Sequence, residues 1–249
     1  MRKFILAAIA GVAFAGSAFA HVPDYVTVAI ADKARPAADV ARDTNRKPAD
    51  MVMFAGIKPG SIVVELIPGK GYFTRIFAKA VGPKGHVYAF VPIEFDAVLK
   101  KNNIPIPSGS DPNYPNVTYI HASIAALPIP QLADVVWTSQ NYHDLHDKFT
   151  GPVDIAAFNK AVLAALKPGG TFIVLDHSAA DGSGLRDTDT LHRIDAAAVK
   201  SEVTAAGFKY AGKSDVLRNP ADPRDKLVFD PSIRGKTDQF IFKFRKPKK

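Results

Sequence analysis

The sequence has 249 residues, no cysteine and a formal net charge of +8. The missing thiol excludes disulfides, thiol catalysis and cysteine-ligated metals, and the length suits one α/β domain with a sizeable core. Part of the basic excess lies in the tail at residues 242–249. That tail reads as a solvated end rather than a contact for anionic lipid, and without aromatic interleaving in the basic segments no nucleic-acid partner is expected.

The chain opens with Met1, Arg2 and Lys3, continues as an apolar run over residues 4–15, and carries small residues at Ala18 and Ala20. A basic start, a short apolar centre and a small-x-small end make a secretory signal peptide, and the run is too short to span a bilayer. Cleavage is expected after Ala20, so that His21 leads the mature chain and no transmembrane segment follows. The absence of cysteine suits an oxidising compartment; a Gram-negative periplasm is the expected address, with secretion as the alternative. Residues 21–46 then form a leader of weak helical character, and residues 47–249 a single domain.

Pro48 suits the first turn of a helix that presents Met51, Val52, Phe54 and Ala55 on one face. Gly56, Pro59 and Gly60 end it. Residues 61–66 are β-branched and apolar and include one acid, Glu65. Gly69 and Gly71 bend the chain, and Phe73, Ile76, Phe77, Ala80 and Val81 follow at helical spacing. A strand feeding a helix through such a turn aims backbone N–H groups and a positive helix end at one spot, a place for a nucleotide-like ligand. Residues 86–91 form a second strand and residues 94–101 a short helix. Residues 102–115 are a long loop rich in Pro, Ser and Asn, of a kind often functional. Strands follow at residues 117–121 and 133–138, the latter opening onto the polar cluster of residues 139–147. Asp154 caps a helix closed at Lys167–Gly170, and a fifth strand at residues 171–175 ends on Asp176 and His177. Asp195 caps a further helix, and residues 208–217 and 239–244 form two last strands. The alternation implies a Rossmann-like, mostly parallel seven-stranded sheet with helices on both faces and an antiparallel C-terminal edge hairpin. Ligands of such sheets bind beyond the carboxyl ends of the strands.

The segments VVELIPGKGY, GHVYAF, ADVVWTSQNYHD and LKPGGTFIVLDH, in that order and spacing, resemble the class I S-adenosylmethionine-dependent methyltransferases over residues 47–246. More narrowly, RKPADMVMFAGIKPG, ELIPGKGYFTR, NYHDLH, LHRID, AAGF and TDQFIFKFRKP resemble a group of exported, predicted methyltransferases without an assigned substrate. The resemblance implies a methyltransferase using S-adenosylmethionine on a small or envelope-associated acceptor. It places Glu65, Ile67, Gly69 and Gly71 at the methionine end of the cofactor and Ser123 near the adenine. Ser139, Gln140 and Asn141 would close the pocket beside the sulfonium. Three positions depart from the family pattern. Ile67 stands at the first glycine of the turn, and Val91 and His121 stand where acids are usual; Glu94 is placed to serve the ribose in their stead. The departures keep open an alternative, a methyltransferase-fold protein without cofactor use that binds another ligand or a metal.

For chemistry, His143 follows a strand end beside the proposed pocket and is the candidate base, with Asp144 to orient it and Tyr142 to stack on or position a substrate. A rival use of His143, Asp144, His146, Asp147, Asp176, His177 and His192 is metal ligation. No strict ligand spacing is met, so no metal is assigned. Arg193 and Asp195 read either as substrate-positioning residues or as the cap of the following helix, the cap being favoured for Asp195, and Arg218, Asn219, Asp222 and Arg224 as a lid or substrate wall or as a salt-laced surface loop.

Overall fold

The computed structural model describes residues 21–248; the expected signal peptide lies outside them. The elements run α1 Asp24–Ile30, α2 Ala37–Val40, α3 Asp43–Arg46, α4 Pro48–Ala55, β1 Ile62–Leu66, α5 Tyr72–Val81, β2 His86–Pro92 and α6 Asp96–Lys101. Then come β3 Gly109–Ser110, β4 Val117–Ala122, β5 Ala133–Ser139, α7 Ile155–Ala165, β6 Leu166–His177, α8 Thr188–Leu191, α9 Ala196–Ala205, β7 Lys209–Ser214 and β8 Gln239–Arg245. The sheet order is β3-β4-β2-β1-β5-β6-β8-β7. Strands β4, β2, β1, β5 and β6 pair in parallel, and β8 runs antiparallel between β6 and β7.

Both faces are covered, which is why the central strands read as continuous apolar runs. Val63 and Trp137 face a core shared with α1, α4 and α5, while Val64 and Val136 face one shared with α7 and α9. Trp137 meets Phe73 and Phe77 edge-on at centroid separations of 4.8 and 5.4 Å, fixing α5 against β5. Caps fall where the side chains dictate: Asp154 accepts from the Ala157 amide and Asp195 from the Ala197 amide.

Four expectations change. The sheet has eight strands, because Gly109 and Ser110, inside the long loop, pair with Tyr119 and Thr118 as a short edge. Strand β6 starts at Leu166 directly after α7, where Leu166 pairs with Ala133; Lys167–Gly170 then bulge out, and the regular ladder resumes at Thr171 opposite Val135. The leader is part of the domain: Val26 and Ala29 are buried against α5, Arg35 holds Asp43 through two hydrogen bonds of 2.9 and 2.6 Å, and Arg75 pairs with Asp39. Arg193 does not reach a substrate. It is fully buried, bonded to Asp222 at 2.8 and 3.1 Å and to the Ser178 and Lys226 carbonyls, and it ties the 215–238 excursion to the sheet. In that excursion Arg218, Asn219 and Arg224 converge on the buried Asp238, so the salt-laced reading holds.

Removing one partner of a buried pair leaves the other charge uncompensated. Arg193→Ala therefore lowers unfolding free energy by about 3–5 kcal/mol in urea titrations; a loss below about 1 kcal/mol contradicts this anchoring role.

Candidate functional site

The turn after β1 is built from left-handed residues. Gly69 and Gly71 have φ of 56° and 75°, and Ile67, where the family has glycine, also has a φ of 53°. A β-branched side chain is strained there. The Ile67 amide still donates to the Phe90 carbonyl at 2.8 Å, so the glycine-type path of the chain is kept at that cost. A Cβ built on Gly69 would meet nothing within 4 Å, which leaves open space beside the turn.

Glu65 lies beneath this turn, 3% exposed, and accepts a 2.5 Å hydrogen bond from Thr74 Oγ1 one turn into α5. Arg46, at the end of α3, stacks on Tyr72 and Phe73 at 4.4 and 4.7 Å and donates to Ser139 Oγ at 3.0 Å and Gln140 Oε1 at 3.4 Å. No carboxylate lies within ion-pair distance of Arg46 among the described residues. Arg46 thus joins the start of α5 to the tip of β5. Arg46 and Thr74 both lie in segments that carry the resemblance, RKPADMVMFAGIKPG and ELIPGKGYFTR, but neither is singled out as a site residue.

At the other end, Glu94 accepts from Ser123 Oγ at 2.7 Å and from the Ile124 amide at 3.1 Å. The ribose and adenine residues inferred separately are therefore one hydrogen-bonded pair, tying the end of β2 to the end of β4. Pro105 and Pro107 of the long loop lie over the tips of β1 and β2 and narrow the cavity there to about 10 Å³. Beyond the same prolines it opens to about 520 Å³ between Gly69, Lys70 and Tyr119.

A second cavity of about 520 Å³ opens beside Gln140, between Arg42, Arg46, His177, Phe229 and Arg234. Of the residues expected to do chemistry, none lines it. Tyr142 is fully buried, its hydroxyl taken by Glu202 and Asn159 at 3.0 and 2.8 Å, so it does not stack on a substrate. His143 is 2% exposed. Burial alone would lower its pKa, but the Asp176 and Asp144 carboxylates outweigh that and raise it above the usual histidine value; enclosed by those two carboxylates, it is not an accessible base. Asp144 does orient it, at 3.2 Å. Burial raises the Asp144 carboxyl, yet His143 and His192 bring it down to about 2. His177 replaces His143 at the cavity wall, its Nδ1 paired with Thr237 Oγ1 at 2.7 Å, and burial lowers it to about 3, so it is neutral. Asn141 is half-buried next to Gln140.

Burial pushes the Glu65 carboxyl from 4.5 up to about 7, with Thr74 and Arg46 opposing. A raised carboxyl favours the fold while protonated, so its contribution is complete below about pH 4.5 and is lost as pH rises through 7. On the order of 3 kcal/mol is at stake. Urea midpoints measured from pH 4.5 to 8 should show that slope in the wild type and a flatter one in Glu65→Gln; parallel curves would contradict it.

No protein-family model matches the chain. Among curated proteins, it is 27% identical over 180 residues to the ubiquinone/menaquinone biosynthesis C-methyltransferase UbiE of Shewanella sp. (strain W3-18-1), covering 71% of this chain and 67% of that protein. The UbiE of Shewanella woodyi is 33% identical over 125 residues, or 50% of this chain and 45% of that protein. Among solved structures, a SAM-dependent methyltransferase from Aquifex aeolicus superposes with a TM-score of 0.54 at 17% identity, covering 82% of this chain and 98% of that one. The N-methyltransferase NodS of Bradyrhizobium japonicum gives 0.52 at 12% identity, covering 83% and 97%. With a parallel sheet reversing at β1 and an antiparallel β8 inserted beside β6, the chain has the fold of the class I S-adenosylmethionine-dependent methyltransferases.

Proposed function

We propose that the protein is an exported enzyme that transfers a methyl group from S-adenosylmethionine to a small or envelope-associated acceptor. One observation carries this reading: Glu65 is buried under the left-handed turn whose Gly69 side is open, and Arg46, with no carboxylate in ion-pair distance among the described residues, reaches Ser139 at the tip of the neighbouring β5. An amino acid has an ammonium for Glu65 and a carboxylate for Arg46, so the donor set fits the methionine end of the cofactor. Ser139, Gln140 and Asn141 close that end, and Glu94 with Ser123 would receive the adenosine. The nucleoside needs the space now narrowed by Pro105 and Pro107, so binding displaces the 102–112 segment.

The cofactor, when bound, supplies an electrophilic methyl on a sulfonium. The chain's own part is to hold the acceptor in line with it and to exclude water. The cavity beside Gln140 is placed for that, with neutral His177 as a hydrogen-bonding wall and Arg42 and Arg234 as cations around the mouth. Positioning, not proton abstraction by His143, is what this arrangement offers. No helix among the described residues is long and apolar enough to cross a membrane. Export rests on the signal-like residues 1–20, and protein recovered from the periplasm should begin at His21; an intact Met1 or a cytoplasmic location contradicts export.

Calorimetric titration with S-adenosylmethionine and S-adenosylhomocysteine tests the binding claim. Micromolar affinity is expected for the wild type. Gly69→Asn, which tolerates the left-handed backbone and fills the open space, should bind at least about tenfold more weakly. Arg46→Met, which loses about 1.5–3 kcal/mol of charged hydrogen bonding, should behave likewise. Equal affinity in both folded variants, or no wild-type binding at millimolar ligand, contradicts the assignment.

A further inference from the structure

Four side chains brought together at the carboxyl ends of β5 and β6 have no use in the reading above. His143 and Asp144 come from the 3₁₀ turn after β5, Asp147 from just beyond it, and His192 from the left-handed end of α8, at φ 51°. One ligand atom from each lies within 4.8 Å of all the others. His143 Nε2 is 3.1 Å from His192 Nδ1 and 3.2 Å from Asp144 Oδ1. His192 Nδ1 is 3.6 Å from Asp144 Oδ1 and 4.0 Å from Asp147 Oδ2. Ligands about 2.0–2.2 Å from a tetrahedral zinc ion stand roughly 3.3–3.6 Å apart, so the His143, His192 and Asp144 atoms already have nearly that spacing, and Asp147, 4.0 Å from His192, completes the set with a short inward shift.

A second observation points the same way. Asp147 is 2% exposed and neither of its carboxylate oxygens accepts a hydrogen bond. His192 at 4.0 Å is its nearest basic group among the described residues; a buried carboxylate without a hydrogen bond is costly, and a cation among these four atoms supplies the close contact it lacks. The outer contacts of His143 also fit. Its Nδ1 lies 2.8 Å from Asp176 Oδ1, and Asp176 is itself held by the His143 and His177 amides at 2.9 and 2.7 Å. A carboxylate that accepts a hydrogen bond from Nδ1–H fixes the tautomer in which Nε2 is free to ligate, the usual support of a metal-bound imidazole. His146, the other half of the His-x-x-His spacing, instead turns to Glu202 at 3.2 Å.

We propose that His143 Nε2, His192 Nδ1, Asp144 and Asp147 bind one divalent transition-metal ion, of the class of zinc or cobalt. Mixed imidazole and carboxylate ligands select such an ion over magnesium or calcium. The ion pins the segment after β5 to the end of α8. Phe229, packed on His192 at 5.1 Å, separates it from the basic cavity. The inference does not depend on cofactor use.

The test is calorimetry and visible spectroscopy on the chelator-treated protein with Zn²⁺ and Co²⁺ alone. One equivalent should bind with micromolar affinity or better, and the cobalt form should show the intense visible bands of a tetrahedral site. His192→Ala, at a partly exposed position, and the isosteric Asp147→Asn should each weaken binding by more than about 100-fold while circular dichroism is unchanged. His146→Ala should bind as the wild type does. No saturable binding, an octahedral cobalt spectrum, or wild-type affinity in folded His192→Ala would overturn the site.

Discussion

A carboxylate taken out of water at the tip of a central strand is unfavourable unless something compensates it, and Glu65 is in that position. Thr74 offers one hydroxyl, and Arg46 stands near without touching it. The surrounding structure follows from this arrangement. The left-handed turn above Glu65 clears space on its open side, the α5 aromatics hold Thr74 in place against Trp137, and the leader folds back so that Arg46 can reach the tip of β5. In the proposed function a cationic group of the ligand relieves that tension at Glu65.

Two buried charge systems flank that spot and act differently. The Arg193–Asp222 pair and the Asp238 cluster have their partners within the chain and are structural. The His143, Asp144, Asp147 and His192 group leaves Asp147 without one. Between the two lies the basic cavity, walled by His177 and Phe229. The turn after β1, the basic cavity and the histidine–aspartate cluster therefore all occupy loops at the carboxyl end of the sheet, where the parallel strands end. That is the placement an open α/β sheet dictates.

The fold was legible because its signals are local. The β-branched run before Gly69, the Asp154 and Asp195 caps, and the late strands without an intervening helix each name their own element. The site was legible only in part. Glu65, Gly69 and Gly71 lie within one short stretch, and Glu94 and Ser123 follow strand ends, so the family resemblance could be carried onto them residue by residue. Arg46 is 93 residues from Ser139 in sequence, and only the folding back of the leader joins them. Tyr142 and His143 were misread for a related reason. A polar cluster after a strand tip looks exposed in sequence, but β6, α8 and α9 close over it, and whether a histidine faces solvent or two carboxylates is decided by those later elements. The same closure assembled the metal cluster from a spacing, His-x-x-His, that keeps only one of its two histidines.

The most direct measurement of the central claim is a ¹⁵N-correlation spectrum of the protein with and without S-adenosylhomocysteine. The account predicts saturable shifts at the Gly69 and Gly71 amides and at the Arg46 guanidinium, accompanied by shifts in the 102–112 loop, while β7 at the far edge of the sheet stays unperturbed. Unchanged glycine resonances at millimolar ligand, or shifts confined to a distant surface, would contradict the claim that this turn is a cofactor cradle.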